Sequence, residues 1–247
     1  MIEKMLGKKK MHFSLIDPDK QEPEKAGEIA KICEKYGSDA IMVGGSTVKK
    51  REMVFDTIKE IKKNSSLPVI LFPNSAETVA SNADYIFFMD LLNSLEYKYR
   101  KGEQLKGAKL VKEWGIKPIP TGYLIISTSK NPTTVETKTK LDVIRGDDVE
   151  KAVKYAMYAE CMGLRCLYLE AGSNAEKPVP DEIIKAIKNK VSLPLIVGGG
   201  IKTPEMARKK IEAGADVIVN GSLVEENIEK LKEIIDVVKN WSLNKSI

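Results

Sequence analysis

Eight short apolar runs, separated by longer amphipathic stretches, constrain this chain more than any other feature. The runs are His12–Ile16, Asp39–Val43, Val69–Phe72, Tyr85–Met89, Gly122–Ile126, Cys166–Glu170, Leu195–Val197 and Val217–Val219. Their Ile, Val, Leu and Phe content suits parallel strands buried on both faces. Helical periodicity fills the gaps at residues 23–36, 49–63, 98–114, 148–162, 180–190, 203–213 and 223–239. Gly37, Gly115, Gly163 and Gly214 stand just past helix ends, and Pro23, Pro180 and Pro204 stand near helix starts. Right-handed crossovers place every helix outside the sheet, so this alternation predicts an α/β fold, a closed (β/α)₈ TIM barrel. The length of 247 residues suits a single barrel domain spanning 1–247.

Related strand openings support repeated βα units. Ser38-Asp39-Ala40-Ile41, Ala83-Asp84-Tyr85-Ile86 and Ala215-Asp216-Val217-Ile218 each lead into a strand, and the first and last end in Gly45-Ser46 and Gly221-Ser222. One unit is irregular. Pro73 to Asp84 opens on a Pro73-Asn74-Ser75 turn and is too short for a full crossover helix. A stunted or non-helical third connection is expected, leaving that side of the barrel less covered. Ser127 to Asp147, rich in Thr and Lys, reads as a functional loop or an interface element.

Composition removes several function classes. No run approaches the roughly 18 apolar residues of a spanning helix, and Met1 to Met11 lacks a signal-peptide core. A cytoplasmic protein is expected. Cys33, Cys161 and Cys166 have no metal-ligand spacing and read as buried free thiols in a reducing compartment. His12 is the only histidine, which argues against Ser-His or Cys-His catalysis and a multi-His metal site. The net charge of +5 is spread along helices beside Glu, without the clustered, aromatic-interleaved cations of a nucleic-acid groove. That mild bias still attracts phosphorylated substrates.

In a parallel barrel, chemistry sits where strands end and βα loops begin. Gly198-Gly199-Gly200 follows the seventh strand and Asn220-Gly221-Ser222 the eighth, each ahead of a helix. Such turns either hold a phosphate on backbone amides and helix N-termini or serve only as tight turns. The sixth strand ends Tyr168-Leu169-Glu170-Ala171-Gly172-Ser173-Asn174, and alternation puts Tyr168 and Glu170 on the inner face. Glu170 is either a general base for a hydroxyl, its pKa raised by burial, or a core carboxylate tied to Lys202 or a backbone amide. Asp17-Pro18-Asp19 ends the first strand, either as Mg²⁺ ligands or as a helix-capping motif ahead of Pro23. Gly44-Gly45-Ser46-Thr47 after the second strand offers an anion-binding loop or a hydroxyl for a metal–diphosphate group.

These segments, joined by Ile70-Leu71-Phe72-Pro73, Ile86-Phe87-Phe88-Met89, Leu91-Leu92-Asn93-Ser94, Gly122-Tyr123-Leu124 and Ile196 to Ile201, resemble the geranylgeranylglyceryl phosphate synthase family of barrel prenyltransferases. The resemblance runs in order along nearly the whole chain. It implies that the 3-hydroxyl of sn-glycerol 1-phosphate attacks C1 of geranylgeranyl diphosphate and expels diphosphate, the first committed step toward archaeal ether lipids. It assigns Tyr168, Leu169, Glu170, Ala171, Gly172, Ser173 and Asn174 to the glycerol phosphate, with Glu170 as base. Gly199, Gly200, Gly221 and Ser222 fall to its phosphate, and Asp17 and Ser46 to a Mg²⁺ cofactor. It also implies an extended segment in place of the third helix, opening a groove for the C20 tail beside Phe72 and Phe88. A homo-oligomer and transient membrane-surface contact for the lipid follow from the same family.

Three positions depart from the pattern. Leu15 stands where one branch carries a lysine, Gly221-Ser222 replaces Gly-Asn or Gly-Thr, and Pro132 to Lys140 lacks the aromatic of hexameric relatives. The competing readings are the same chemistry on a longer, heptaprenyl substrate, a phosphosugar isomerase or lyase, and a non-catalytic phosphate-binding barrel.

Overall fold

The computed structural model describes residues 2–173 and 175–241. Eight strands, β1 Met11–Ile16, β2 Ala40–Val43, β3 Val69–Leu71, β4 Tyr85–Leu91, β5 Lys117–Ile125, β6 Cys166–Glu170, β7 Leu195–Gly198 and β8 Val217–Asn220, close into a barrel in sequence order. All pairs are parallel, and His12 opposite Ile218 joins the last strand to the first. The helices are α1 Ile2–Met5, α2 Pro23–Tyr36, α3 Arg51–Asn64, α4 Glu103–Glu113, α5 Thr134–Lys138, α6 Val149–Cys161, α7 Asp181–Lys188, α8 Pro204–Ala213, α9 Ser222–Glu226 and α10 Ile228–Asn240.

Strand alternation sorts the side chains into layers. Phe13, Met42, Phe87, Tyr168, Ile196 and Val219 share the interior cluster. Their neighbours Ile41, Val43, Leu167, Leu169 and Ile218 pack outward under the helices. Fully buried Phe13, Phe87 and Tyr168 each stabilise the closed barrel by roughly 1.5–3 kcal/mol of apolar transfer. The short α1 and the residue that follows it add Ile2 and Leu6 to the interior cluster; the lysine-rich N-terminus gave no helical signal for this helix.

The third connection lacks an α-helix, as expected: a single 3₁₀ turn, Ala76–Thr78, is the one helical turn between β3 and β4. With no helix there, the outward face of β4 at Ile86 and Phe88 lines a cavity together with Val111 of α4.

Some boundaries differ from expectation. β5 starts at Lys117, five residues before Gly122, because Pro118 and Pro120 mask its pattern while still pairing with β4 opposite Ile86 and Phe88. The last helical stretch breaks at Asn227, whose side chain accepts from the Lys230 amide and caps α10. Cys33 and Cys166 are buried free thiols, but Cys161 is exposed at the end of α6.

Candidate active site

The C-terminal ends of the strands enclose a polar cavity of about 520 Å³, which Asp17, Ser46, Tyr168, Glu170, Gly172 and Ser173 line from one side. Gly199, Gly200, Gly221 and Ser222 line the other. Ten of the residues singled out in the sequence therefore meet in one space, drawn from five strand ends. Leu169 and Ala171 do not. Both are fully buried in the outer cluster, because alternate residues of a strand face opposite ways. Asn174 lies outside the described residues.

Glu170 is 7% exposed, and its Oε1 accepts a 2.7 Å hydrogen bond from the Gly172 amide. Burial raises its pKa to about 7, against the lowering effect of that amide and of Tyr168. It is thus tied to a backbone amide and faces the cavity at once. A carboxylate poised near neutrality suits proton removal from an alcohol. The Tyr168 hydroxyl is pushed well above its ordinary pKa by burial and by the Glu170 charge. That hydroxyl is buried without a hydrogen-bond partner of good geometry, although it points into the cavity side of β6. A bound hydroxyl would satisfy it.

Gly199 and Gly200 have φ of 81° and 69°, in the left-handed region where a side chain costs strain. Backbone curvature there turns the segment after β7 toward the cavity. The helix after β8 is only five residues long, Ser222–Glu226. Backbone amides of the turn, rather than a helix dipole, are what that side offers an anion.

Asp17 stands across the cavity mouth. Its Oδ1 accepts from the Asp19 amide at 3.1 Å, and burial raises its pKa. A Cβ on Gly45 would fall 2.2 Å from Asp17 Oδ2, so the strand-two glycine makes room for this carboxylate. Among the described residues no cluster of three or more His, Cys, Asp or Glu could hold a metal by itself. One carboxylate beside the Ser46 segment still fits Mg²⁺, which binds few protein ligands and completes its shell with water and phosphate oxygens. Glu225 of α9 accepts from the Asp17 amide and pairs with Lys20 at 2.9 Å. Its place five residues past β8 gave no sequence signal.

A second, more apolar cavity of about 370 Å³ adjoins the first. Phe72, Val79, Phe88, Tyr99 and Val111 line it, and Gly45, Ser46, Phe72, Tyr123 and Val135 line both. Rings of Phe72, Tyr123 and Tyr168 meet at the junction with centroids 5.3–5.5 Å apart. Tyr123 was legible as a strand residue within one of the resembling segments, with no role assigned; pairing of β5 with β6 sets it opposite Tyr168 at the site.

The loop from Ser127 to Asp147 covers this junction. Thr134 and Val135 line the polar cavity, and Val135, Lys138 and Thr139 the apolar one. Thr133 and Glu136 form a capping box that starts α5. Lys138 donates to the Ser46 carbonyl, tying the loop to the β2 turn. The loop lines both cavities, which suits the first of the two roles expected for it. No helix among the described residues is long and apolar enough to cross a membrane.

The PcrB family model matches residues 4–239. A protein named geranylgeranylglyceryl phosphate synthase from Pyrococcus horikoshii is 44% identical over 241 residues, covering 97% of this chain and 94% of its own. The same-named protein of Methanopyrus kandleri is 44% identical over 231 residues, covering 93% of this chain and 94% of its own. Among solved structures, (S)-3-O-geranylgeranylglyceryl phosphate synthase from Thermoplasma acidophilum, in complex with sn-glycerol-1-phosphate, superposes with a TM-score of 0.90. It is 37% identical and covers 96% of each chain. The tryptophan synthase alpha chain from Legionella pneumophila, at 19% identity and a TM-score of 0.58 with 95% and 93% coverage, shares the barrel fold alone.

Proposed function

This chain belongs to the PcrB family, and from that premise we propose that it joins sn-glycerol 1-phosphate to geranylgeranyl diphosphate through an ether bond, with Mg²⁺ as cofactor. One observation carries the reading. An anion-sized polar pocket holding a buried carboxylate opens directly into an apolar groove.

The glycerol phosphate sits with its phosphate between the Gly199-Gly200 and Gly221-Ser222 turns and its 3-hydroxyl toward Tyr168 and Glu170. The prenyl chain lies in the groove left by the missing third helix, which brings C1 to the junction beside Phe72 and Tyr123. Glu170 removes the hydroxyl proton as the O3–C1 bond forms. The bond from C1 to the diphosphate oxygen breaks, and the electron pair leaves with diphosphate. Asp17 and Ser46, which line the same cavity, would hold Mg²⁺ beside that leaving group. When bound, the cation offsets the negative charge that develops on the diphosphate. The loop that carries Val135 and Lys138 lines the groove beside C1 and limits the access of competing water.

A cytoplasmic location, with passing membrane contact to receive and release lipid, belongs to the same reading. So does a homo-oligomer, for which exposed Tyr97, Met157 and Met162 offer apolar surface.

The direct test incubates the protein with Mg²⁺, labelled sn-glycerol 1-phosphate and geranylgeranyl diphosphate. Label passing into organic solvent supports the transfer; substrate binding with no extractable label would leave only a phosphate-binding barrel.

A further inference from the structure

The only histidine of the chain sits in a buried polar chain that reaches the phosphate turns from behind. Ser14 Oγ lies 3.0 Å from Ser38 Oγ, and Ser38 Oγ 3.0 Å from His12 Nδ1. His12 Nε2 lies 3.1 Å from Asn220 Oδ1, and Asn220 Nδ2 donates to the Ile201 carbonyl at 2.8 Å. All four side chains are at most 5% exposed. We propose that His12 is a positioning residue for phosphate capture, holding the turns after β7 and β8 at a fixed spacing through Asn220.

Three observations support this. First, the β7–β8 pairing ends at Gly198 opposite Val219, just before both turns. The Asn220 amide continues the connection one step further, onto the carbonyl beside Gly200. Second, the direction of the chain follows from its ends. Asn220 spends its amide on Ile201, so its oxygen must accept, and His12 Nε2 therefore carries the proton. Nδ1 is left to accept from a serine hydroxyl. Burial keeps the ring neutral at pH 7, its pKa lowered to about 4, which is the state this direction needs. Third, the surrounding outer layer is apolar, with Ile16 and Val43 on the neighbouring outward positions. Burying four polar groups there is costly unless each is paired, and an aliphatic layer would serve folding alone. Phe13 and Val219 face into the barrel interior, and His12, which alternates with Phe13, does not line the polar cavity, whereas its partner Asn220 does. His12 therefore acts on the turns and not on the substrate.

The inference rests on the phosphate site proposed above, and its test separates the two. Because His12 is unique, a ¹⁵N-histidine sample of the whole protein gives one imidazole, assigned without mutation. The expected spectrum shows a neutral ring protonated at Nε2 at pH 7. That Nε2–H signal shifts when sn-glycerol 1-phosphate saturates the protein. In kinetics, His12→Phe should raise KM for sn-glycerol 1-phosphate about 10-fold, the scale of one lost buried hydrogen bond. KM for the prenyl diphosphate should stay within about twofold. His12→Gln, whose amide can still donate to Asn220, should recover most of the loss. A ring protonated at Nδ1, an imidazole signal indifferent to a ligand that demonstrably binds, or equal rises in both KM values would overturn the role of His12. No binding of sn-glycerol 1-phosphate by the wild type would instead remove the phosphate site, and this inference with it. Should His12→Phe fail to fold, the wild-type spectrum still decides.

Discussion

Glu170 packs directly against the backbone of Gly199: a Cβ at position 199 would stand 2.3 Å from Glu170 Oε1 and 2.8 Å from the Gly172 amide nitrogen. The end of β6 and the turn after β7 thus share a space with no room for a methyl group. Gly199→Ala adds both that clash and the cost of a side chain at φ 81°. It should displace the carboxylate by about an ångström and lower kcat/KM about 100-fold, the scale of such misplacement. Steady-state kinetics with both substrates checks it; near-normal turnover would show that the turn relaxes freely.

Glu170→Gln keeps the acceptor for the Gly172 amide and removes the base. Binding of sn-glycerol 1-phosphate should stay near intact while turnover falls at least ~100-fold. Calorimetric titration beside kcat separates the two effects, and wild-type turnover would take Glu170 out of the reaction.

The same carboxylate gives a pH signature. Its pKa rises from 4.5 to about 7, so activity needing the ionised form should fall on the acid side of about pH 7. For stability, the folded state keeps this proton where the unfolded state has released it. Stability present below pH 4.5 is therefore lost as pH rises through about 7, by on the order of 3 kcal/mol. His12 runs the other way. Its pKa is lowered from 6.5 to about 4, so its contribution is present above 6.5 and lost as pH falls through 4. The two oppose each other over the shared range and would hide in the wild type alone. Urea unfolding of wild type and Glu170→Gln should show the variant gaining relative stability from pH 5 to pH 8. A gap that does not change with pH would mean the carboxylate is not desolvated.

Asp17→Asn should leave the fold intact, since its oxygen can still accept from the Asp19 amide. The Mg²⁺ concentration for half-maximal activity should rise at least about 10-fold. An unchanged metal titration would place the cation elsewhere.

Gly107 lines the apolar cavity on α4, and a Cβ there would meet only Ala76, at 3.7 Å. Gly107→Phe should fill the groove and shift preference toward shorter prenyl diphosphates. Each excluded methylene is worth roughly 10-fold or more in discrimination. A panel of chain lengths reads this directly, and an unaltered preference would put the tail outside this groove.

The sequence by itself determined the barrel, its single irregular connection and most of the polar site. Those features are written locally: apolar runs of strand length, glycines after β7 and β8, and too few residues between Phe72 and Tyr85 for a helix. Alternation placed Tyr168 and Glu170 inward, but Leu169 and Ala171, assigned to the substrate by resemblance, face outward in the folded barrel. Other features depend on distant residues meeting, which no local pattern records. Strand closure brings His12 to Asn220, 208 positions away. Loop folding brings Lys138 to Ser46, 92 positions away. The missing helix becomes a groove only because α4 and the outward face of β4 stand beside the gap. Local propensity fixes which elements form, whereas closure of the barrel decides which of their ends share a cavity.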